Sequence, residues 1–255
     1  MSVFAYSVAK ALGDRWDLWL QSQLADPLSS PVEGFRTLGQ AMRLGPDVTA
    51  YIDGSTYVTR ARSRAAGKFL ASGCDVWLTC DDDVLVEKEG IAALVRACRS
   101  TRGVVSVPLL IRGGTGACWG NVPMNPATIV EADGVSLFPI ETTGMGLVAI
   151  HREVLNAIAP NVPVTSRGEN DGMVFRAFFT ETIRNETWVG EDYHFCILAR
   201  EAGKPVHLVL DVEGTHAGRT CKLGKDLYLS VGDEDTAAKL RANAATAKEK
   251  PTPSP

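Results

Sequence analysis

The sequence predicts an α/β fold in which a mainly parallel central sheet is flanked by helices and is followed by an α+β half. Three observations carry this reading. Short apolar runs alternate with helix-patterned stretches as far as residue 110, and such alternation implies parallel strands covered by helices. Beyond Pro108 the chain turns into a loop rich in Gly and Pro, with Gly113, Gly114, Gly116, Gly120, Pro123 and Pro126, before a second set of elements begins. At 255 residues, 45% hydrophobic and 22% charged, the chain is long enough to bury a real core.

The elements follow in order. Val3 to Val8 is a short apolar run of the buried-strand type, and Arg15 to Leu24 places Trp16, Trp19 and Leu20 at helical spacing. Val48 to Ile52 repeats the strand pattern and Asp53-Gly54-Ser55 is turn chemistry. Tyr57 to Leu70, rich in Ala and Arg, suits a helix. Val76 to Thr79 is a third strand that runs into Cys80-Asp81-Asp82-Asp83, and Glu89 to Cys98 is helical. Val104 to Val107 closes the alternating half. In the second half, Gly144 to His151 reads as a glycine-punctuated strand, Arg152 to Ile158 as a helix start, Asp192 to Ala202 as a helix ended by Gly203, and Val206 to Val212 as a strand. Ala237 to Lys250 is a further helix candidate, and Pro251 to Pro255 reads as a disordered tail.

The 30 acidic residues outnumber the 26 basic ones, a formal charge of −4, so bulk charge favours neither nucleic acid nor an anionic membrane as partner. The six cysteines are scattered without a C-x-x-C pair, which argues against a zinc knuckle or a disulfide scaffold and for reduced thiols. No apolar run approaches the roughly 20 residues that span a bilayer, so no integral membrane segment is expected. The apolar start has no basic region before it and is interrupted by Lys10, so no signal peptide is expected and the location reads as cytoplasmic.

Three places carry chemistry. Three consecutive acids at the carboxyl end of a buried strand repel one another and call for positive charge; an oxygen-only cluster suits a hard divalent cation with phosphate oxygens. In strand geometry Asp81 and Asp83 point to one side and Asp82 to the other. A solvated acidic turn would present the same letters. Gly190-Glu191-Asp192 opens an apolar helix, where carboxylates either serve the helix dipole or act as a general base. His216 lies just past a strand and reads as either a structural histidine or a ligand.

In this order, Asp-x-Asp on a mid-chain strand, Thr143-Gly144-Met145-Gly146, Gly-Glu-Asp at a helix start and a late His216-Ala217-Gly218 resemble the GT-A glycosyltransferases, in particular family-two-like bacterial and phage members. The stretch Ala61-Arg62-Ser63 is similar to their Ala-Arg-Asn, with Ser63 in place of Asn. The resemblance covers residues 2 to 220. It implies a Rossmann-like GT-A domain, with a nucleotide-sugar-binding half over 1–110 and an acceptor and catalytic half over 111–230; composition adds a C-terminal helix and disordered tail over 231–255.

The resemblance further implies that Asp83 binds Mn²⁺ or Mg²⁺, with Asp81 near the ribose or the metal and His216 as a further ligand. Asp53 and Arg62 would lie against the nucleoside and diphosphate, and Gly144 and Gly146 would let backbone approach the sugar. Asp192 would take the proton of the acceptor hydroxyl while Glu191 orients acceptor or base, with inversion at the anomeric carbon. The donor would be a nucleoside-diphosphate sugar. The acceptor would be a saccharide or glycolipid precursor, with a protein side chain or a hydroxylated phage DNA base as alternatives. Two rival readings stand beside this one. A nucleotidyltransferase would ordinarily carry a Gly-rich phosphate loop with Lys, and neither G-x-x-x-x-G-K-[ST] nor a G-x-G-x-x-G after a strand is present. A non-catalytic GT-A-like module would bind nucleotide-sugar or glycan without turning it over.

Overall fold

A computed structural model describes residues 3–4, 18–23, 48–50, 58–72, 74–81, 84–86, 88–111, 128–165, 175–216 and 219–231. Asp53, Asp82, Asp83, Cys118, the helix expected over Ala237 to Lys250 and the C-terminal tail lie outside the described residues.

The chain opens with β1 (Val3–Phe4), β2 (Leu18–Gln23) and β3 (Val48–Ala50), then α1 (Val58–Ser72), β4 (Val76–Cys80), β5 (Val84–Val86), α2 (Lys88–Thr101) and β6 (Val104–Ser106). Next come a hairpin of β7 (Val130–Ala132) and β8 (Val135–Pro139), then β9 (Leu147–His151) and α3 (Arg152–Ile158). Two short pairs follow, β10 (Val164–Thr165) with β11 (Phe175–Arg176) and β12 (Thr182–Arg184) with β13 (Thr187–Val189). The described part ends with α4 (Glu191–Glu201), β14 (Val206–Val209), β15 (Glu213–His216), β16 (Arg219–Leu223) and β17 (Leu229–Val231).

One sheet runs β1-β2-β4-β9-β6-β14-β8-β7, with β3 added on β2. It is mixed rather than mainly parallel. β2 is parallel to β3 and β4, and β6 to β14. β1 is antiparallel to β2, β9 to both β4 and β6, and β8 to β14 and β7. At the centre this comes from β9, which belongs to the second half of the chain and enters between two strands of the first, opposed to both. Strands of both halves therefore interleave in one sheet.

The helix expected over Arg15 to Leu24 is not what its central residues form. Leu18–Gln23 is a strand within the sheet, hydrogen-bonded to β1, β3 and β4. The helical spacing of Trp16, Trp19 and Leu20 yields to the continuous run Leu18-Trp19-Leu20, which suits a strand paired on both sides; short apolar runs of this kind are decided by tertiary partners.

β4 is buried along its whole length and feeds both faces of the sheet. Val76, Leu78 and Cys80 join the cluster under α2, while Trp77 joins the cluster under α1, α3 and α4. The end of α1 is closed by a residue of another helix. Arg152 donates from Nε to Cys74 O, from Nη1 to Leu70 O at 2.8 Å and from Nη2 to Phe69 O at 3.0 Å, and lies 5.0 Å over the Phe69 ring. Helix-end carbonyls lack partners within the helix, and one guanidinium here supplies them. A separate antiparallel sheet, β17-β16-β15-β5, grows from the segment just after Asp81. Among the described residues Cys74, Cys80, Cys98, Cys196 and Cys221 are buried thiols, and no helix is long and apolar enough to cross a membrane.

Candidate functional site at the ends of β4 and α4

Asp81 is the first residue beyond β4. Its N–H donates to Gly146 O at 2.7 Å, and its carbonyl accepts the N–H of Val84 at 3.2 Å. The side chain is partly exposed, and its Oδ2 lies on the side of Gly146, 3.9 Å from where a Cβ on that glycine would stand. The same Cβ would stand 2.6 Å from Leu109 Cδ1, so the absence of a side chain at Gly146 first serves the packing of Leu109. Gly144 is half-buried, its carbonyl accepting from Thr143 Oγ1 at 3.2 Å, and it leads with Met145 into Gly146.

The second edge of the site is the start of α4. Gly190 is the N-cap in extended backbone (φ −63°, ψ 161°) and offers no side-chain bond, so Glu191 and Asp192 occupy the first two helical positions. Asp192 Oδ1 accepts the N–H of Tyr193 at 2.8 Å and lies 3.2 Å from a Cβ built on Gly190, so a side chain there would press on the carboxylate and require it to shift by a few tenths of an ångström. Burial pushes the Asp192 carboxyl above the ordinary carboxylate range, and the neighbouring Glu191 charge adds to this. Arg62 and the backbone N–H groups pull the other way and do not overcome it.

Arg62 joins the two edges. It is 5% exposed, on the inner side of α1, and its guanidinium is forked: Nη1 donates to Glu191 Oε1 at 2.7 Å and Nη2 reaches Asp81 Oδ1 at 3.5 Å. Ser63, the next residue, is buried as well; its Oγ accepts the N–H of Phe179 at 3.1 Å. This ties α1 to the segment that leads into α4.

Behind the carboxylates runs a column of rings that no local sequence pattern brings together. Phe69 of α1 stacks on Trp77 of β4 at 6.1 Å, Trp77 meets Phe179 edge-on at 5.9 Å, and Phe179 stacks on Phe195 of α4 at 4.5 Å. Trp77 lies on the strand that delivers Asp81, and Phe195 lies one helical turn after Glu191, so the column sets the spacing between the two acidic ends. The sequence signal is present as Trp77 in an apolar run and Phe195 on the apolar face of α4, but nothing in it says that these rings meet.

His216 ends β15, which pairs antiparallel with β5 so that His216 stands opposite Val84. Its Nδ1 bonds Leu110 O at 2.5 Å. A carbonyl only accepts, so Nδ1 donates, and in the neutral ring that leaves the lone pair on Nε2, the tautomer a metal ligand needs. Gly214, two residues earlier, is required by the same crossing: a Cβ there would stand 2.8 Å from Pro108 O. The structure thus brings Asp81, Arg62, Glu191 and Asp192 to one region and places His216 across from Val84, while Asp53 and Asp83 lie outside the described residues. Among the described residues no three His, Cys, Asp or Glu side chains gather as a metal would require.

No family model matches the chain, and no curated protein matches it. Among solved structures it is similar to "Crystal Structure of A197 from STIV", at 15% identity over 71% of this chain and 78% of that one, with a TM-score of 0.40. It is also similar to "Crystal structure of GalNAc-T7 with UDP, GalNAc and Mn2+", at 17% identity over 62% of this chain, with a TM-score of 0.40. The chain matches 30% of the length of that second protein. Likeness at this level leaves the molecule described as a mixed α/β protein whose function has to be argued from its own residues.

Proposed function

We propose that the chain is a metal-dependent glycosyltransferase that moves a sugar from a nucleoside-diphosphate donor to an acceptor hydroxyl, with inversion. The observation that supports it is the convergence of carboxylates from two elements, Asp81 at the carboxyl end of β4 and Glu191 and Asp192 at the start of α4, about the buried guanidinium of Arg62. The carboxyl ends of strands are where α/β sheets bind ligands.

The donor chemistry fits Mn²⁺ or Mg²⁺: a carboxylate at Asp81 and an imidazole whose Nδ1 is bound to Leu110 O. Asp81, Asp83 and His216 would hold the ion, which when bound neutralises charge on the departing nucleoside diphosphate. Asp53 would contact the nucleoside, and the backbone at Gly144 and Gly146 would border the sugar. Asp192 accepts the proton of the acceptor hydroxyl. Burial makes its carboxylate more basic than an exposed one and so better suited to that task. Glu191, held by Arg62, orients the base or the acceptor. The acceptor is proposed to be a saccharide or glycolipid precursor.

A thermal-shift screen of nucleoside-diphosphate sugars with Mn²⁺ tests this reading. A donor that binds only the folded chain raises its melting temperature, and at a hundred times Kd the gain is about 2.7 kcal/mol. The expected result is stabilisation by one donor class that EDTA removes, with metal-dependent hydrolysis of the same donor. Equal nucleotide affinity with and without EDTA, or no response to any donor, would sink it.

A further inference from the structure

Arg62 reaches two elements that the sequence keeps far apart: Asp81 is 19 residues along the chain from it and Glu191 is 129. Each end of its fork faces a different carboxylate, and its Nε is buried without a hydrogen-bond partner among the described residues. A guanidinium that grips phosphate presents two donors to the same anion. Here the two terminal nitrogens are taken by two different carboxylates, Glu191 at 2.7 Å and Asp81 at 3.5 Å. We propose that Arg62 is a positioning residue of the transfer site, tying Asp81 to Glu191 and so holding the start of α4, with Asp192, at a set distance from the end of β4. This rests on the glycosyl-transfer reading for the reaction it serves, but the tie itself does not.

Two forces then place α4. The aromatic column from Phe69 to Phe195 holds it from the core side, and the Arg62 fork holds it at the rim where the carboxylates emerge. The fork matters as much as the charge. Lysine carries the same charge on a single ammonium, a point donor without the fixed fork of guanidinium, and cannot hold these two carboxylates in one fixed geometry.

The test is read on the full chain with ¹³C-labelled carboxyl groups. Glu191→Gln should move the Asp81 carboxyl resonance when Arg62 is intact and leave it unmoved in the Arg62→Lys background. Melting temperatures supply a second measure, because Asp81→Asn and Glu191→Gln should shift Tm non-additively when Arg62 is intact and additively in R62K. With UDP and Mn²⁺ as probe, R62K should keep its affinity within about threefold, whereas loss of a direct phosphate contact would cost about tenfold or more. An Asp81 resonance that ignores Glu191→Gln, or responds equally in R62K, overturns the proposal, and so does a tenfold loss of UDP affinity in R62K. If the resonances are coupled but the wild type binds no nucleoside diphosphate with Mn²⁺, the tie is upheld and the transfer reading falls.

Discussion

Asp192 occupies the second position of α4, where unsatisfied backbone N–H groups favour a negative charge and burial disfavours it. Burial wins, so the carboxyl is raised. A carboxyl raised in the folded state contributes stability that is whole below its unfolded value and lost as the pH rises through the folded one; at neutral pH its ionised form is a cost. Asp192→Asn should therefore leave the melting temperature at pH 7 unchanged or higher, since Asn can accept the Tyr193 N–H in the same way. Turnover should fall by on the order of 10² or more while donor affinity barely moves. Parallel melts and rate measurements check this, and a near-normal rate would move the base to Glu191. Glu191 and Asp192 were legible as an acidic pair opening a helix. That Gly190 rather than a carboxylate caps it, and that burial outweighs the dipole, depends on packing that no local pattern encodes.

Among the elements, α3 was fully legible over Arg152–Ile158, and β4 nearly so, because each carries a continuous local pattern. The hairpin β7–β8 carries a local signal of its own, absent from the elements expected above. Asp133-Gly134 sits between two short apolar runs, and both residues adopt positive φ, 51° and 71°, the requirement of a tight hairpin turn. β5 and β15 left little signal, being three and four residues long and defined by their pairing. The aromatic column is where elements become a site. Phe179→Ala should cost about 3–5 kcal/mol, since the ring is 1% exposed and joins Trp77 to Phe195. Denaturant unfolding measures that loss. Phe179→Leu should recover much of the stability, and a cost under about 1 kcal/mol for Ala would show that α4 is held by other contacts.

Across the whole molecule, one buried base makes stability depend on pH. His207 lies on β14 between β6 and β8, 7% exposed, and burial lowers its pKa to about 4 from an ordinary 6.5. Its contribution is whole above 6.5 and is lost as the pH falls from there to about 4, because the unfolded chain takes up the proton first. The full span is on the order of 3 kcal/mol. Wild type should lose on the order of 2 kcal/mol more than His207→Leu between pH 7 and pH 5 in urea unfolding, and equal losses would contradict the assignment. His151, also lowered by burial, remains in both proteins and cancels in the comparison. The sequence by itself determined the α/β class, the buried strand leading to Asp81, and the acidic opening of α4, because apolar run length, helical period and the chemistry of helix ends are local properties. Only the tertiary structure decided the direction of β9, the strand at Leu18–Gln23 and the meeting of Arg62 with both Asp81 and Glu191. Sheet order and long-range ion pairs arise from which surfaces bury one another, and residues 129 positions apart share no local pattern.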